Sequence, residues 1–228
     1  FSYAPGVYGR PMIFSRGRRY IFVHAPKTGG TSLALMLEDK AMKDDIMLGD
    51  TPKAKKRRGK VKGIETSGRL WKHSMLSDLY GLVTQQEMED FFVFTLVRNP
   101  WDRMVSYYHW LQAQSFDHPA VGKAKALAFE DFVTDPMILR SMELNPYGRY
   151  VEDQDGIERG DHFIRLEHFR DDLELVEATL GVKFHEIAHE NASNRGRDYR
   201  SAYDQRGREA VEKACATDIE RFGYRFDG

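Results

Sequence analysis

The sequence predicts an α/β fold, with a mostly parallel, P-loop-like sheet flanked by helices on both faces. Three short apolar segments, at residues 20–23, 91–97 and 163–166, have the composition of strands. Continuous apolar runs of this length are typical of strands that are buried on both faces. Helical patterns follow these segments, and strands that alternate with helices indicate a parallel sheet covered on both sides.

A glycine-rich loop joins the first strand to the first helix. The apolar run at 20–23 stops before Pro26 and a glycine pair at 29–30. Good helix formers occupy 33–37, and either Thr31 or Ser32 stands near the expected cap. This stretch therefore predicts a strand, a glycine loop and a helix in succession.

Less regular segments surround this unit. Residues 1–18 are rich in Gly, Pro and Arg and predict an irregular lead-in, whereas 39–63 is polar and predicts a mobile loop that carries a basic run at 53–62. A helical pattern is expected over 71–82 because its apolar residues share one face. Residues 112–160 are expected to form short helices.

The second strand–loop–helix unit is the clearest in the chain. Aromatic and β-branched residues fill 91–97, as in strands. Pro100 suits the first position of a helix, and Met104, Tyr108 and Leu111 then recur at helical spacing. We therefore expect a helix to begin at Pro100.

The last third of the chain predicts one more strand, two helices and a polar loop. The strand is expected at 163–166, and the helix at 171–180 should end at Gly181. A polar, loop-like stretch at 189–203 precedes a closing amphipathic helix at 209–222.

Composition narrows the class of protein. The chain has 228 residues, is 41% hydrophobic and contains neither an internal repeat nor an obvious linker, so one domain over 1–228 is expected. A net charge of −1 gives no global field toward nucleic acid, and no apolar run approaches the ~20 residues of a membrane span. The single cysteine, Cys215, allows no intrachain disulfide and fits a reducing, cytoplasmic compartment.

The loop after the first strand has the features of a phosphate site. Helix N-termini and free backbone N–H groups attract anions, and a lysine adds a full charge. A nucleoside triphosphatase loop needs its lysine after the second glycine, whereas Lys27 precedes both glycines here. The predicted phosphate residues are Pro26, Lys27, Thr28, Gly29, Gly30, Thr31 and Ser32.

Two segments resemble sulfotransferases that use 3′-phosphoadenosine-5′-phosphosulfate (PAPS). Residues 20–32 are similar to the 5′-phosphosulfate loop of that family, and 97–108 to its 3′-phosphate segment. The closest type is the carbohydrate one, which includes heparan sulfate 2-O-sulfotransferase and its bacterial relatives. A weaker similarity covers 191–203, where the family has a loop that closes over the nucleotide.

The resemblance implies roles for residues outside the first loop. Arg98 and Ser106 are expected to bind the 3′-phosphate of PAPS, although a structural ion pair is the alternative for Arg98. Ser193 and Arg197 are expected to reach the donor from the late loop. The product would be adenosine 3′,5′-bisphosphate (PAP).

A base is needed when a hydroxyl attacks sulfur. The resemblance places a catalytic histidine between the two phosphate segments, and His73 is the only histidine there. Glu65 is the second candidate, and His24 is expected to be packed and hydrogen-bonded. His185 and His189 are spaced for a metal but lack an evident third ligand, so no metal site is predicted.

The sequence thus predicts in-line transfer from PAPS to a hydroxyl, with a saccharide as the expected acceptor and with Lys27 stabilising the leaving phosphate. The basic run at 53–62 suits either a polyanionic acceptor or a solvated loop, and Trp71 suits either a sugar or the core. A P-loop kinase or NTPase and a non-catalytic polyanion-binding module remain the alternative functions.

Overall fold

The computed structural model describes residues 11–185 and 198–228. Its strands are β1 (Met12–Ser15), β2 (Tyr20–Val23), β3 (Ile46–Leu48), β4 (Phe92–Val97) and β5 (His162–Arg165). Its α-helices are α1 (Thr31–Asp39), α2 (Pro52–Arg57), α3 (Gln85–Asp90), α4 (Pro100–Gln112), α5 (Pro119–Ala126), α6 (Phe129–Phe132), α7 (Pro136–Glu143), α8 (Phe169–Leu180), α9 (Gln205–Ala214) and α10 (Ala216–Phe222). Short 3₁₀ turns lie at Arg58–Val61, Leu76–Leu79, Tyr147–Val151, Leu166–His168 and Tyr199–Ala202.

The described chain divides into two compact units. The sheet unit comprises 11–97 and 147–185, and the helical unit comprises 98–146 and 198–228. The expectation of a single domain over 1–228 stays a prediction. Among the described residues, no helix has both the length and the apolar character needed to span a bilayer.

The sheet unit holds a mixed sheet with the strand order β3-β1-β2-β4-β5. The strands expected from the sequence, β2, β4 and β5, are parallel, with Tyr20 opposite Phe92 and Phe94 opposite His162. The strand β1 pairs antiparallel with both β2 and β3. The predicted α/β class is confirmed, but the lead-in expected at 1–18 contains β1. Its hairpin with β2 is antiparallel because a four-residue connection is too short for a parallel crossover.

Both faces of this sheet are buried. Side chains alternate between the faces, so Phe22, Phe94 and Ile164 share a buried cluster with α1 and α8. On the opposite face Ile21 and Val93 are fully buried as well. Continuous apolar strands therefore have the double-sided burial that their composition predicts.

The prediction that 39–63 forms a loop is wrong, because this segment contains β3, α2 and a 3₁₀ turn. Thr51 begins α2, because its Oγ1 accepts a hydrogen bond from the Ala54 backbone N–H at 3.1 Å. The same hydroxyl donates to Glu38 at 2.7 Å, and Ala54 is fully buried. The Thr51 cap and the buried Ala54 thus stabilise α2, although the polar composition of this segment does not predict a helix.

The helix expected over 71–82 is also wrong, since only the 3₁₀ turn Leu76–Leu79 forms. The Asp78 carboxylate accepts a hydrogen bond from the Met75 backbone at 2.8 Å and closes this turn. Gly81 then has φ +94°, and a Cβ there would lie 2.0 Å from the Glu65 carbonyl oxygen. The left-handed backbone at Gly81 stops any longer helix.

The helical unit is organised around α4, which begins at Pro100 as predicted. Met104, Tyr108 and Leu111 are buried against a cluster that includes residues of α5, α6 and α9. The closing helix expected at 209–222 is two helices, α9 and α10, because the backbone at Cys215 (φ −109°, ψ 20°) leaves the helical range. In the sheet unit, α8 ends at Gly181 with φ +63°, as predicted.

Candidate active site

The loop between β2 and α1 needs each of its two glycines for a different reason. Gly29 has φ +80°, and a Cβ there would lie 2.7 Å from a methyl carbon of Leu166. The backbone of Gly30 is ordinary (φ −60°), but its Cβ would lie 2.7 Å from Cδ2 of His24. Backbone strain therefore excludes a side chain at Gly29, and the His24 ring excludes one at Gly30.

Thr28 and Lys27 shape the rest of this loop. Thr28 is fully buried, and its hydroxyl donates to the Ala25 carbonyl oxygen at 2.9 Å, so this hydroxyl braces the loop itself. Lys27 is partly exposed and has φ +65°, a conformation uncommon for a residue with a Cβ. A strained lysine beside a helix terminus is typical of a functional position.

The N-terminus of α1 follows the loop directly. Gly30 is the N-cap residue, no side chain caps the helix, and its first turn contains no acidic residue. Thr31 and Ser32 are partly exposed in this turn. The arrangement suits an anion, because the helix dipole and the first-turn N–H groups favour negative charge near Lys27.

His73 lies beside the residue that leads into this loop. Its Nδ1 is 2.7 Å from the carbonyl oxygen of His24, and the two rings meet edge to face at 4.9 Å. A carbonyl oxygen only accepts hydrogen bonds, so Nδ1 carries the proton and Nε2 of the neutral ring keeps its lone pair. The Trp71 ring lies nearly perpendicular to the His73 ring, with centroids 5.2 Å apart.

The surroundings of His73 keep it neutral. Burial is the main cause that holds the pKa of His73 well below its usual value of 6.5, and the neighbouring His24, Lys72 and Lys27 lower this pKa further. The hydrogen bond to the His24 backbone raises it in part. Burial also lowers the pKa of Lys72, and Asp50 partly offsets that effect. Glu65, the other candidate base, is exposed.

In the helical unit, Arg98 lies at the N-terminal end of α4. Its Nε and Nη2 both donate to Oδ2 of Asp102, at 2.8 and 2.6 Å, and Arg98 is 6% exposed. The ion pair considered as the alternative for Arg98 therefore exists. Ser106 lies on α4 and is partly exposed.

Ser193 and Arg197 lie outside the described residues, but the segment that follows them is anchored to the start of α4. The Tyr203 hydroxyl donates to the Trp101 carbonyl oxygen at 2.8 Å. The Asn99 amide donates to the Tyr199 hydroxyl at 3.2 Å. The late polar segment and the Arg98 segment are thus joined within one unit.

A family model described as the sulfotransferase family matches residues 10–225. The chain belongs to the sulfotransferase family. The match includes both strand–loop–helix segments and the late polar segment. The narrower assignment to the heparan sulfate 2-O type stays a prediction.

Two further comparisons bear on this sulfotransferase family member. The crystal structure of mouse sulfotransferase SULT7A1 complexed with PAP matches it with 16% sequence identity and a TM-score of 0.36. The match covers 88% of this chain and 64% of the mouse chain, so the chain spans less than two thirds of that relative. No curated protein has a significant match to this chain.

Sequence reasoning missed one residue of this family member's α4 segment. Asn99 caps α4 by accepting a hydrogen bond from the Trp101 N–H at 3.1 Å, and its amide also donates to the Arg225 carbonyl oxygen at 2.9 Å. An asparagine directly before a proline at a predicted helix start was the available signal. Within 11–185 and 198–228, no group of three His, Cys, Asp or Glu side chains is placed to hold a metal ion.

Proposed function

We propose that this chain transfers the sulfuryl group of PAPS to a hydroxyl of an acceptor, with His73 as the general base. One observation carries the proposal. The Nδ1 proton of His73 is held by the carbonyl of His24, three residues before Lys27, so the neutral ring offers Nε2 as a proton acceptor near the anion loop.

The donor is assigned to the loop at 26–32. Lys27 and the N–H groups of the first turn of α1 would bind the 5′-phosphosulfate, with Thr31 and Ser32 adding hydroxyl donors. Thr28 would contribute through its backbone, because its hydroxyl is bonded to Ala25. The roles of Arg98 and Ser106 at the 3′-phosphate, and of Ser193 and Arg197, rest on the sequence resemblance.

The proposed reaction is an in-line displacement. The acceptor oxygen bonds to sulfur while its proton passes to Nε2 of His73. The bond between sulfur and the bridging oxygen breaks, and its electron pair leaves with PAP. Lys27 and the loop amides stabilise the charge that grows on the bridging oxygen, so that positioning and electrostatics carry the catalysis. The scheme uses no metal ion.

A saccharide is the proposed class of acceptor. Trp71 is 38% exposed and its ring centroid lies 5.2 Å from that of His73, so a partly exposed aromatic ring lies next to the base. The guanidinium carbon of Arg69 lies 5.6 Å from the centroid of the Trp71 ring. Sugar rings pack on aromatic faces through their apolar C–H surfaces, which supports this proposal.

Donor binding is tested by thermal unfolding with PAP. At a PAP concentration about 100 times the dissociation constant, binding adds about 2.7 kcal/mol and raises the melting temperature by roughly 5–10 °C. Lys27→Ala is expected to abolish this rise. Lys56→Ala, which removes an exposed lysine of α2 in the same unit, is the matched control and should keep it. If millimolar PAP leaves the wild-type melting temperature unchanged, the donor assignment is wrong.

Transfer is tested by a screen of polysaccharides and small alcohols with ³⁵S-labelled PAPS. We expect a labelled product with the wild type and none with His73→Gln, while both proteins keep the response to PAP. Transfer by His73→Gln at the wild-type rate would overturn the assignment of the base. Magnesium-dependent ATP hydrolysis without a response to PAP would instead support the kinase or NTPase alternative.

A further inference from the structure

His24 occupies the space between the loop and the proposed base. It follows β2 directly and is 6% exposed. Its ring stacks on that of Phe22, two residues earlier on the same face of the strand, with centroids 5.8 Å apart. The ring is therefore anchored on the core.

One side of the His24 ring abuts the start of α1. A Cβ added to Gly30 would lie 2.7 Å from Cδ2 and 2.8 Å from Nε2 of His24. Such distances are shorter than any ordinary contact, so the ring fills the place where a side chain of residue 30 would stand. Because Gly30 is the N-cap residue of α1, the ring limits where the first-turn N–H groups lie.

The other side of His24 meets His73 through two separate groups. The His24 carbonyl accepts the Nδ1 hydrogen bond at 2.7 Å, and the His24 ring meets the His73 ring at 4.9 Å and an angle of 65°. The carbonyl fixes the tautomer of His73, and the ring restricts the orientation of its imidazole plane.

We propose that the His24 side chain is a positioning residue, which keeps Nε2 of His73 aligned with the anion loop by packing against Gly30 and His73 together. This inference rests on the proposed function, in which His73 is the base and the loop binds the donor of the same reaction. His24 takes no part in bond making, and its effect on transfer acts through His73.

The test on the base uses histidine ring NMR of ¹⁵N-labelled protein, in which His73 is assigned by its loss in His73→Gln. In the wild type, we expect a single Nδ1–H tautomer of His73 and a titration midpoint below 6.5. The other titratable groups around His73 are His24, Lys27 and Lys72, and Asp50 lies beside Lys72. In His24→Ala, we expect the Nδ1–H tautomer to persist, because the backbone carbonyl remains, and the titration midpoint to rise, because the His24 ring no longer buries His73. His24→Asn serves as a second variant if His24→Ala does not fold, and His109→Ala, at an exposed position on α4, is the control.

The test on the loop uses the PAP dissociation constant. Gly30→Ala should weaken PAP binding at least about tenfold, because the new methyl group meets the His24 ring and displaces the helix start. The double variant Gly30→Ala/His24→Ala should recover binding to the level of His24→Ala alone. Equal losses in the single and double variants would overturn the proposal, as would an unchanged His73 titration midpoint in His24→Ala.

These outcomes separate this inference from the proposed function. If His73→Gln transfers sulfate at the wild-type rate, the base is wrong and the positioning role is wrong with it. If His73→Gln is inactive, His24→Ala is assayed at saturating PAPS over a range of pH. A loss in transfer rate of about 100-fold, together with an acid limb whose midpoint rises, supports action through His73. A wild-type rate with a wild-type pH profile overturns only the inference.

Discussion

The imidazole of His73 donates its Nδ1 proton to the backbone carbonyl of His24, 2.7 Å away. This bond joins a residue of the 3₁₀-rich segment after α2 to the end of β2, 49 positions earlier in the chain. A main-chain acceptor survives any substitution at residue 24, so the tautomer and the packing of His73 can be tested separately.

The pH dependence follows from the lowered pKa of His73. A base acts only when unprotonated, so the acid limb of the transfer rate should have its midpoint below 6.5, the ordinary histidine value. The folded pKa lies below the unfolded one, so the unfolded chain binds protons first as the pH falls, and the free energy of unfolding decreases from pH about 7 downward. His73→Gln should flatten this decrease, measured as melting temperature against pH. An equally steep decrease in the variant would contradict the assignment.

Lys27 combines a functional charge with an unfavourable backbone conformation. Lys27→Gly should have a free energy of unfolding about 1 kcal/mol higher than Lys27→Ala, and therefore a higher melting temperature, because glycine adopts positive φ without a Cβ clash. Both variants should lose the response to PAP. Equal melting temperatures for the two variants would show that the loop relaxes at this position.

Asp102 holds the buried guanidinium of Arg98. Asp102→Asn should lower the free energy of unfolding by about 2 kcal/mol, because a charge-assisted pair becomes a buried cation with a neutral neighbour. Asp131→Asn breaks the exposed pair with Arg206 and should cost less than about 0.5 kcal/mol. Urea titration measures the free energy of unfolding of both variants. Equal losses from Asp102→Asn and Asp131→Asn would show that the burial of the Arg98 pair adds nothing to its stability.

Asn99 combines a helix cap with two amide contacts. Asn99→Ala should lose about 1–2 kcal/mol, whereas Asn99→Ser should retain part of the cap and lose only the contacts to Tyr199 and the Arg225 carbonyl. The order of stability expected from chemical denaturation is wild type, then serine, then alanine. A serine variant that is no better than alanine would assign the whole effect to the amide contacts.

Local signals in the sequence predicted the elements that depend on local chemistry. Pro100 marks the start of α4 and Gly181 the end of α8, because each acts through its own backbone. The helix α2 was missed, since its stability depends on Thr51 contacting Glu38, thirteen residues away. The sequence likewise could not show why residue 30 must be glycine, because a side chain there would meet the ring of His24, six positions earlier.

The basic run at 53–62 presents less positive charge to a polyanionic partner than its number of lysines and arginines suggests. Arg57 donates to the carbonyl oxygens of Met42 and Asp45, at 2.7 and 3.1 Å, and so helps to hold α2 against the segment before β3. Arg58 pairs with Asp50 at 3.0 Å. Elution from a cation-exchange or heparin column should therefore need less salt than a tally of lysines and arginines would forecast. In this run, some of the cationic side chains are engaged in bonds within the protein that hold α2 in place.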